Sequence, residues 1–122
     1  MATYRVNVYT GNLSPAAGAG TDANVYLTLY GELASSDELS LDNAGNNFEQ
    51  GAVDTFRLRL RDLGQLKQVR IRHDNKFPLP GWYLDRIFIR NEDTDQEWEF
   101  PCNRWLAQDE DDGEIERVLD TA

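Results

Sequence analysis

The side chains best equipped for chemistry lie between positions 42 and 56, reading Asp-Asn-Ala-Gly-Asn-Asn-Phe-Glu-Gln-Gly-Ala-Val-Asp-Thr-Phe. Asp42, Asn43, Asn46, Asn47 and Glu49 crowd five oxygen-bearing side chains into eight positions. Gly45 and Gly51 supply sharp turns, because glycine reaches positive φ at little steric cost. A compact loop of carboxylates and amides suits a hard cation such as calcium, which takes six to eight oxygens in loose geometry. The same composition also makes a polar turn that caps itself through Asx hydrogen bonds. Both readings stand at this point.

Other chemistries find less support. His73 is the single histidine and Cys102 the single cysteine. That excludes multi-histidine or thiolate-only metal sites and an internal disulfide. His73 falls on the apolar phase of its segment, as a core histidine would, and Cys102 sits between Pro101 and Trp105 as a small buried hydrophobe. No nucleophile has an evident base, and the acidic residues form no recognisable catalytic pair. The chain reads as a non-enzyme.

The formal charge is -10, from 22 acidic and 12 basic residues. Such a surface repels nucleic acid and anionic lipid on average and favours cations. Against that background Arg57, Arg59, Arg61, Arg70 and Arg72 fall on outward phases of two consecutive segments, predicting one basic stripe on neighbouring strands. No aromatic platform accompanies it, so nucleic acid is not the expected partner. The acidic run 109–112 reads as a solvated hairpin loop.

The elements that must position these residues are strands. Tyr4, Val6 and Val8 alternate with polar positions, as do Val25, Leu27 and Leu29, then Phe56, Leu58 and Leu60. Val69, Ile71 and His73 follow, then Ile87 and Ile89, then Trp98 and Phe100. A weaker strand covers 38–41 and a last one 114–119; Trp82 reads as buried in its strand. Turn residues separate them, and only 62–66 has room for a single helical turn. Period-two alternation without helices predicts one all-β domain over 1–122, an antiparallel sandwich or barrel. No apolar run approaches a membrane span, the first residues do not form a signal peptide, and a monomer is expected.

An ordered set of short pieces carries a family resemblance. They are the Tyr-Arg-Val-Asn-Val-Tyr-Thr-Gly of 4–11, Ala-Gly-Thr-Asp-Ala-Asn-Val-Tyr-Leu of 19–27, and Asn-Asn-Phe-Glu-Gln-Gly-Ala-Val-Asp-Thr-Phe of 46–56. Asp62-Leu63-Gly64, His73-Asp74-Asn75, Gly-Trp-Tyr-Leu of 81–84 and Phe-Pro-Cys-Asn-Arg-Trp-Leu of 100–106 follow. In this order they resemble the PLAT, or lipoxygenase homology, domain. The resemblance implies an eight-stranded β-sandwich of two four-stranded sheets, without catalytic activity. It further implies a module that brings proteins to membranes or lipid-associated substrate, or to protein partners, several members with calcium held in loops at one end.

Carried over by position, the resemblance implies two calcium sites. One takes the Thr21 backbone, Asp22, Asn46, Asn47 and Glu49; the other takes Asp42, Asn43 and Gly45 and shares Asn47. Asn47 stands where many members have aspartate, which keeps an oxygen but removes a charge. A third family site takes an aspartate from the loop before Trp82, which here reads Pro-Leu-Pro-Gly, so that site is not expected. So few charges imply weak affinity, with Kd about 10⁻⁴ to 10⁻³ M. For membrane contact the candidates are Trp105, whose position resembles a lipid-contacting tryptophan in lipoxygenase-type members, with Phe77, Leu79 and Leu13. The competing reading of Trp105 is core packing. A protein-binding module with purely structural loops is the second hypothesis. A carbohydrate-binding sandwich is the third and would have only Trp105, Tyr26 and Tyr30 as platform.

Overall fold

The computed structural model describes residues 1–12, 19–21, 23–42, 47–76 and 81–122. Eight strands follow in order: β1 (Ala2–Thr10), β2 (Val25–Gly31), β3 (Leu39–Ser40), β4 (Val53–Leu60), β5 (Leu66–His73), β6 (Trp82–Asn91), β7 (Glu97–Leu106) and β8 (Glu116–Asp120). They form two antiparallel four-stranded sheets, ordered β4-β1-β6-β7 and β3-β2-β5-β8. The fold is the sandwich that the alternation and the resemblance both imply.

Each sheet buries one face, so side chains of one phase fill the core. Tyr4, Val6 and Val8 on β1, Leu27 and Leu29 on β2, and Ile87 and Ile89 on β6 are all fully buried. Trp82 and Phe100 add the largest volumes. Burying such side chains contributes about 1.5–3 kcal/mol each relative to exposure. The outward phase of β1, Thr3 to Tyr9, is only half-buried.

Connectivity sorts the loops to two ends. The β1–β2, β3–β4, β5–β6 and β7–β8 connections share one end, and β2–β3, β4–β5 and β6–β7 share the other. At the second end the Tyr4 hydroxyl accepts a hydrogen bond from the buried Leu63 amide at 3.0 Å. Gly31 presses so closely on the Leu63 carbonyl that no Cβ could be accommodated. Residues 61–65 form no helical turn. Instead the Asp62 carboxylate accepts from the Gly64 amide at 2.8 Å, and Gly64 takes a φ of 74°.

Two expectations change. Arg57 and Arg59 lie on β4 and Arg61 just after it, in one sheet, whereas Arg70 and Arg72 lie on β5 in the other. The five therefore make two basic patches on opposite outer faces, because the β4–β5 connection crosses between sheets. The acidic run 109–112 is not simply solvated: Asp111 and Asp112 pair with Arg104 and Arg117 at 2.7–3.1 Å.

Candidate functional site

Phe48 anchors the oxygen-rich loop. It is the apolar residue in a polar run, and its buried ring stacks on Phe56 at 5.8 Å and meets Trp82 edge-on at 5.2 Å. Its φ of 62° is unusual for a bulky residue and is held by two hydrogen bonds. The Asp54 carboxylate accepts from the Phe48 amide at 2.8 Å, and the Phe48 carbonyl accepts from the Thr21 amide at 3.0 Å. Sequence reasoning missed Phe48, Gln50 and Asp54 as the residues that shape this loop. A lone aromatic among Asx residues was the available signal.

The 19–21 segment lies directly against the 47–50 segment. Besides the Thr21–Phe48 bond, the Gln50 side-chain carbonyl accepts from the Ala19 amide at 2.9 Å. Gly20 packs on the Phe48 carbonyl so tightly that an added Cβ would lie 2.8 Å from it. Main-chain bonds from Gly51 to the Gly11 carbonyl (3.1 Å), Tyr83 to Ala19 (2.9 Å) and Gly11 to Tyr83 (2.9 Å) extend the frame to β1 and β6. The Trp82 indole N–H donates to the Thr10 hydroxyl at 3.0 Å beneath it.

Of the proposed calcium ligands, Thr21 is buried, Asn47 is half-buried, and Asp42 and Glu49 are exposed. The Thr21 hydroxyl accepts from the Ala23 amide at 3.1 Å. The carboxylates of Asp42 and Glu49 form no hydrogen bond or ion pair with another described residue. Asp22, Asn43, Gly45 and Asn46 lie outside the described residues. Among the described residues no group of three or more His, Cys, Asp or Glu converges on a common point. The candidate donors described carry oxygen ligands only. Oxygen donors suit hard cations, calcium among them.

Trp105 lies on the outer face of its sheet, opposite Tyr83, at this same end. Its ring is half-buried and meets Tyr83 edge-on at 5.6 Å. It is thus neither a core residue nor a fully exposed wedge. The Arg117 guanidinium holds the Trp105 carbonyl through two N–H donors, at 2.7 and 3.2 Å, while also binding Asp112. Phe77, Leu79 and Leu13 lie outside the described residues.

His73 is the core histidine its phase predicted. It is fully buried; one ring nitrogen lies 2.7 Å from the Leu106 carbonyl and the other accepts from the Asn75 amide at 3.0 Å. Those partners require a neutral ring, and burial pushes its pKa below 6.5. Cys102 packs partly buried against the core, and burial pushes its thiol up.

With this geometry in place, the comparisons decide the family. The PLAT/LH2 domain model matches residues 4–120. The chain is a PLAT domain. It is 46% identical to mouse lipoxygenase homology domain-containing protein 1 over 116 residues, which span 95% of this chain and 6% of that protein. It is 39% identical to mouse polycystin-1-like protein 3 over 121 residues, 98% of this chain and again 6% of the relative. The crystal structure of coral 8R-lipoxygenase, described as calcium-activated via a C2-like domain, superposes with a TM-score of 0.83 at 28% identity. That match covers 98% of this PLAT domain and 17% of the lipoxygenase chain. The chain therefore spans only a small part of its much longer relatives. Among the described residues no helix is long and apolar enough to cross a membrane.

Proposed function

We propose that this PLAT domain, as a single unit over 1–122, is a non-catalytic module that associates with a membrane surface or lipid-associated substrate, assisted by weakly bound calcium. The observation that carries the reading is the backbone frame joining 19–21 to 47–50, which leaves the Asp42 and Glu49 carboxylates exposed and unpaired with any described residue. Thr21 through its carbonyl, Asp22, Asn46, Asn47 and Glu49 would hold one ion. Asp42, Asn43, Gly45 and the shared Asn47 would hold a second. Calcium supplies positive charge that offsets local acidity in a chain of net charge -10. Trp105, with Phe77, Leu79 and Leu13, would meet the lipid interface, where a half-wet ring is well placed. The calcium activation of the coral lipoxygenase through its C2-like domain supports the same reading.

Vesicle co-sedimentation tests it. Pelleting with phosphatidylserine-containing vesicles is expected in millimolar calcium, to vanish in EDTA, and to fall in Trp105→Ala and Phe77→Ala. Absence of calcium-dependent pelleting in the unaltered domain would sink the reading. A protein-docking role is the second reading, and the exposed arginines on the outer face of β4, Arg57 and Arg59, favour it.

A further inference from the structure

We propose that Tyr83 and Trp105 act as one rigid contact for the lipid interface, and that Arg117 is the residue that positions it. This rests on the lipid reading above and brings in two residues, Tyr83 and Arg117, to which that reading gives no role. Trp105 on β7 stands directly opposite Tyr83 on β6, and the two half-buried rings meet edge-on with centroids 5.6 Å apart. The Tyr83 ring also packs on Gly11, so closely that no Cβ could be accommodated there. It is thus held by the chain leaving β1 as well as by Trp105.

The polar tips of the pair differ from those in the core. The Tyr4 hydroxyl and the Trp82 N–H both have hydrogen-bond partners. Neither the Tyr83 hydroxyl nor the Trp105 indole N–H bonds another described residue. Half-wet rings with unused polar tips suit the headgroup layer, where one end of the ring meets hydrocarbon and the other meets water. Because the rings cross at 85°, they share no flat platform on which a sugar could stack. The face of Tyr26 is already covered by the Arg72 guanidinium at 4.4 Å.

Arg117 shares the inward phase of β8 with Leu119, and its side chain is only 9% exposed. A guanidinium so placed needs partners. It finds one across the sandwich in the Trp105 carbonyl, to which Nε donates at 3.2 Å and Nη2 at 2.7 Å. The Asp112 carboxylate accepts from Nη1 at 3.0 Å and from Nη2 at 2.7 Å. Asp111 and Asp112 in turn hold Arg104, the residue before Trp105, at 2.8–3.1 Å. The chain at Trp105 is therefore clamped at its own carbonyl and through its neighbour's side chain. The Ala107–Glu114 backbone bond at 3.0 Å already closes the β7–β8 connection, so the arginine adds constraint at Trp105. Only a planar fork meets both acceptors; a lysine ammonium is a point charge. Fixing the rings before docking removes the entropy cost of ordering them at the interface.

The test uses the intact domain, phosphatidylserine-containing vesicles and millimolar calcium, with every variant held below its own thermal midpoint. Tyr83→Ala and Trp105→Ala should each raise the vesicle concentration for half-pelleting about fivefold or more, and the double variant little further. Arg117→Lys keeps the charge, so a loss of pelleting of similar size reports geometry rather than attraction. Without vesicles, in protein labelled with 5-fluorotryptophan, it should shift or broaden the Trp105 fluorine resonance and leave those of Trp82 and Trp98 in place. Trp105→Phe assigns that resonance. Asp112→Asn, at an exposed position, makes the surface less acidic and yet should weaken pelleting too; it carries the test if Arg117→Lys fails to fold. An unchanged Trp105 resonance, pelleting that survives Arg117→Lys or rises in Asp112→Asn, or additive losses at Tyr83 and Trp105 overturn this inference alone. No pelleting of the unaltered domain sinks the lipid reading and this inference with it.

Discussion

The turns around 62–66 and the oxygen-rich loop use side-chain oxygens differently. At the end holding the β4–β5 turn, they satisfy loop amides: Tyr4 caps Leu63, Asp62 caps Gly64, Glu32 caps Gln65, Ser36 caps Leu29, and Asn91 caps Asp93. At the other end Thr21 caps Ala23, Asp74 caps Asn24 and Asp112 caps Glu114, but around the oxygen-rich loop itself main-chain bonds and the side chains of Gln50 and Asp54 build the frame. Asp42 and Glu49 are left without a partner among the described residues. A self-capping polar turn would look like the first end. The contrast is between a turn whose acids close on its own amides and a segment whose described acids, Asp42 and Glu49, pair with no described residue.

Breaking the closed end should have the largest effect. Gly31→Ala drives a methyl into the Leu63 backbone and should cost about 3 kcal/mol, read by urea denaturation. Calcium response of the surviving folded fraction should be unchanged, which shows the ends to be independent. Tyr4→Phe leaves the buried Leu63 amide without its acceptor and should cost about 1–3 kcal/mol in the same assay.

At the open end, calcium should raise stability rather than be indifferent to it. At ten to a hundred times Kd, binding to the native state adds about 1.4–2.7 kcal/mol, visible as a rise in Tm with magnesium as control. Asp22→Ala with Glu49→Ala should abolish that rise while changing the metal-free Tm little. A flat titration would make the two ends alike after all.

The smallest effect sharpens the comparison through pH. His73 sits between the ends of β5 and β7 and must stay neutral when folded. Its folded pKa is depressed, so the unfolded chain takes up the proton first as pH falls through about 6.5. Stability is therefore full above that value and lost below it. The loss should reach up to about 1 kcal/mol between pH 7.5 and 5.5, and be absent in His73→Gln. Carboxylates held low by arginines, Asp111 and Asp112, add their loss only nearer pH 4 and below.

The strands were legible because period-two alternation reports which phase is buried: β1 follows it throughout, whereas β6 changes phase at an irregularity between Leu84 and Arg86, and Thr28 on the outward phase of β2 is buried too. Alternation does not report which strand lies beside which. That is why five arginines, read as one stripe, divide between two faces. The turn at 62–66 resolves as Asx capping rather than a helical turn, since one carboxylate and one glycine close it more tightly. In the candidate site, the oxygen-bearing side chains were legible from type. Phe48 was not, because its role arises from long-range contact with Phe56 and Trp82. The acids at 111 and 112 were visible, but their arginine partners come from two different strands.

The sandwich also has a spine. On the β7–β8 side the sheets are laced by backbone bonds from Ala107 to Glu114 and Ala122 to Glu99, while the β3–β4 side has only a two-residue strand. A book opens at the fore-edge. Amide exchange should run fastest in β3 and the outer half of β4 and slowest in β1, β5 and β6, so transient opening would present the domain's apolar interior from one side only.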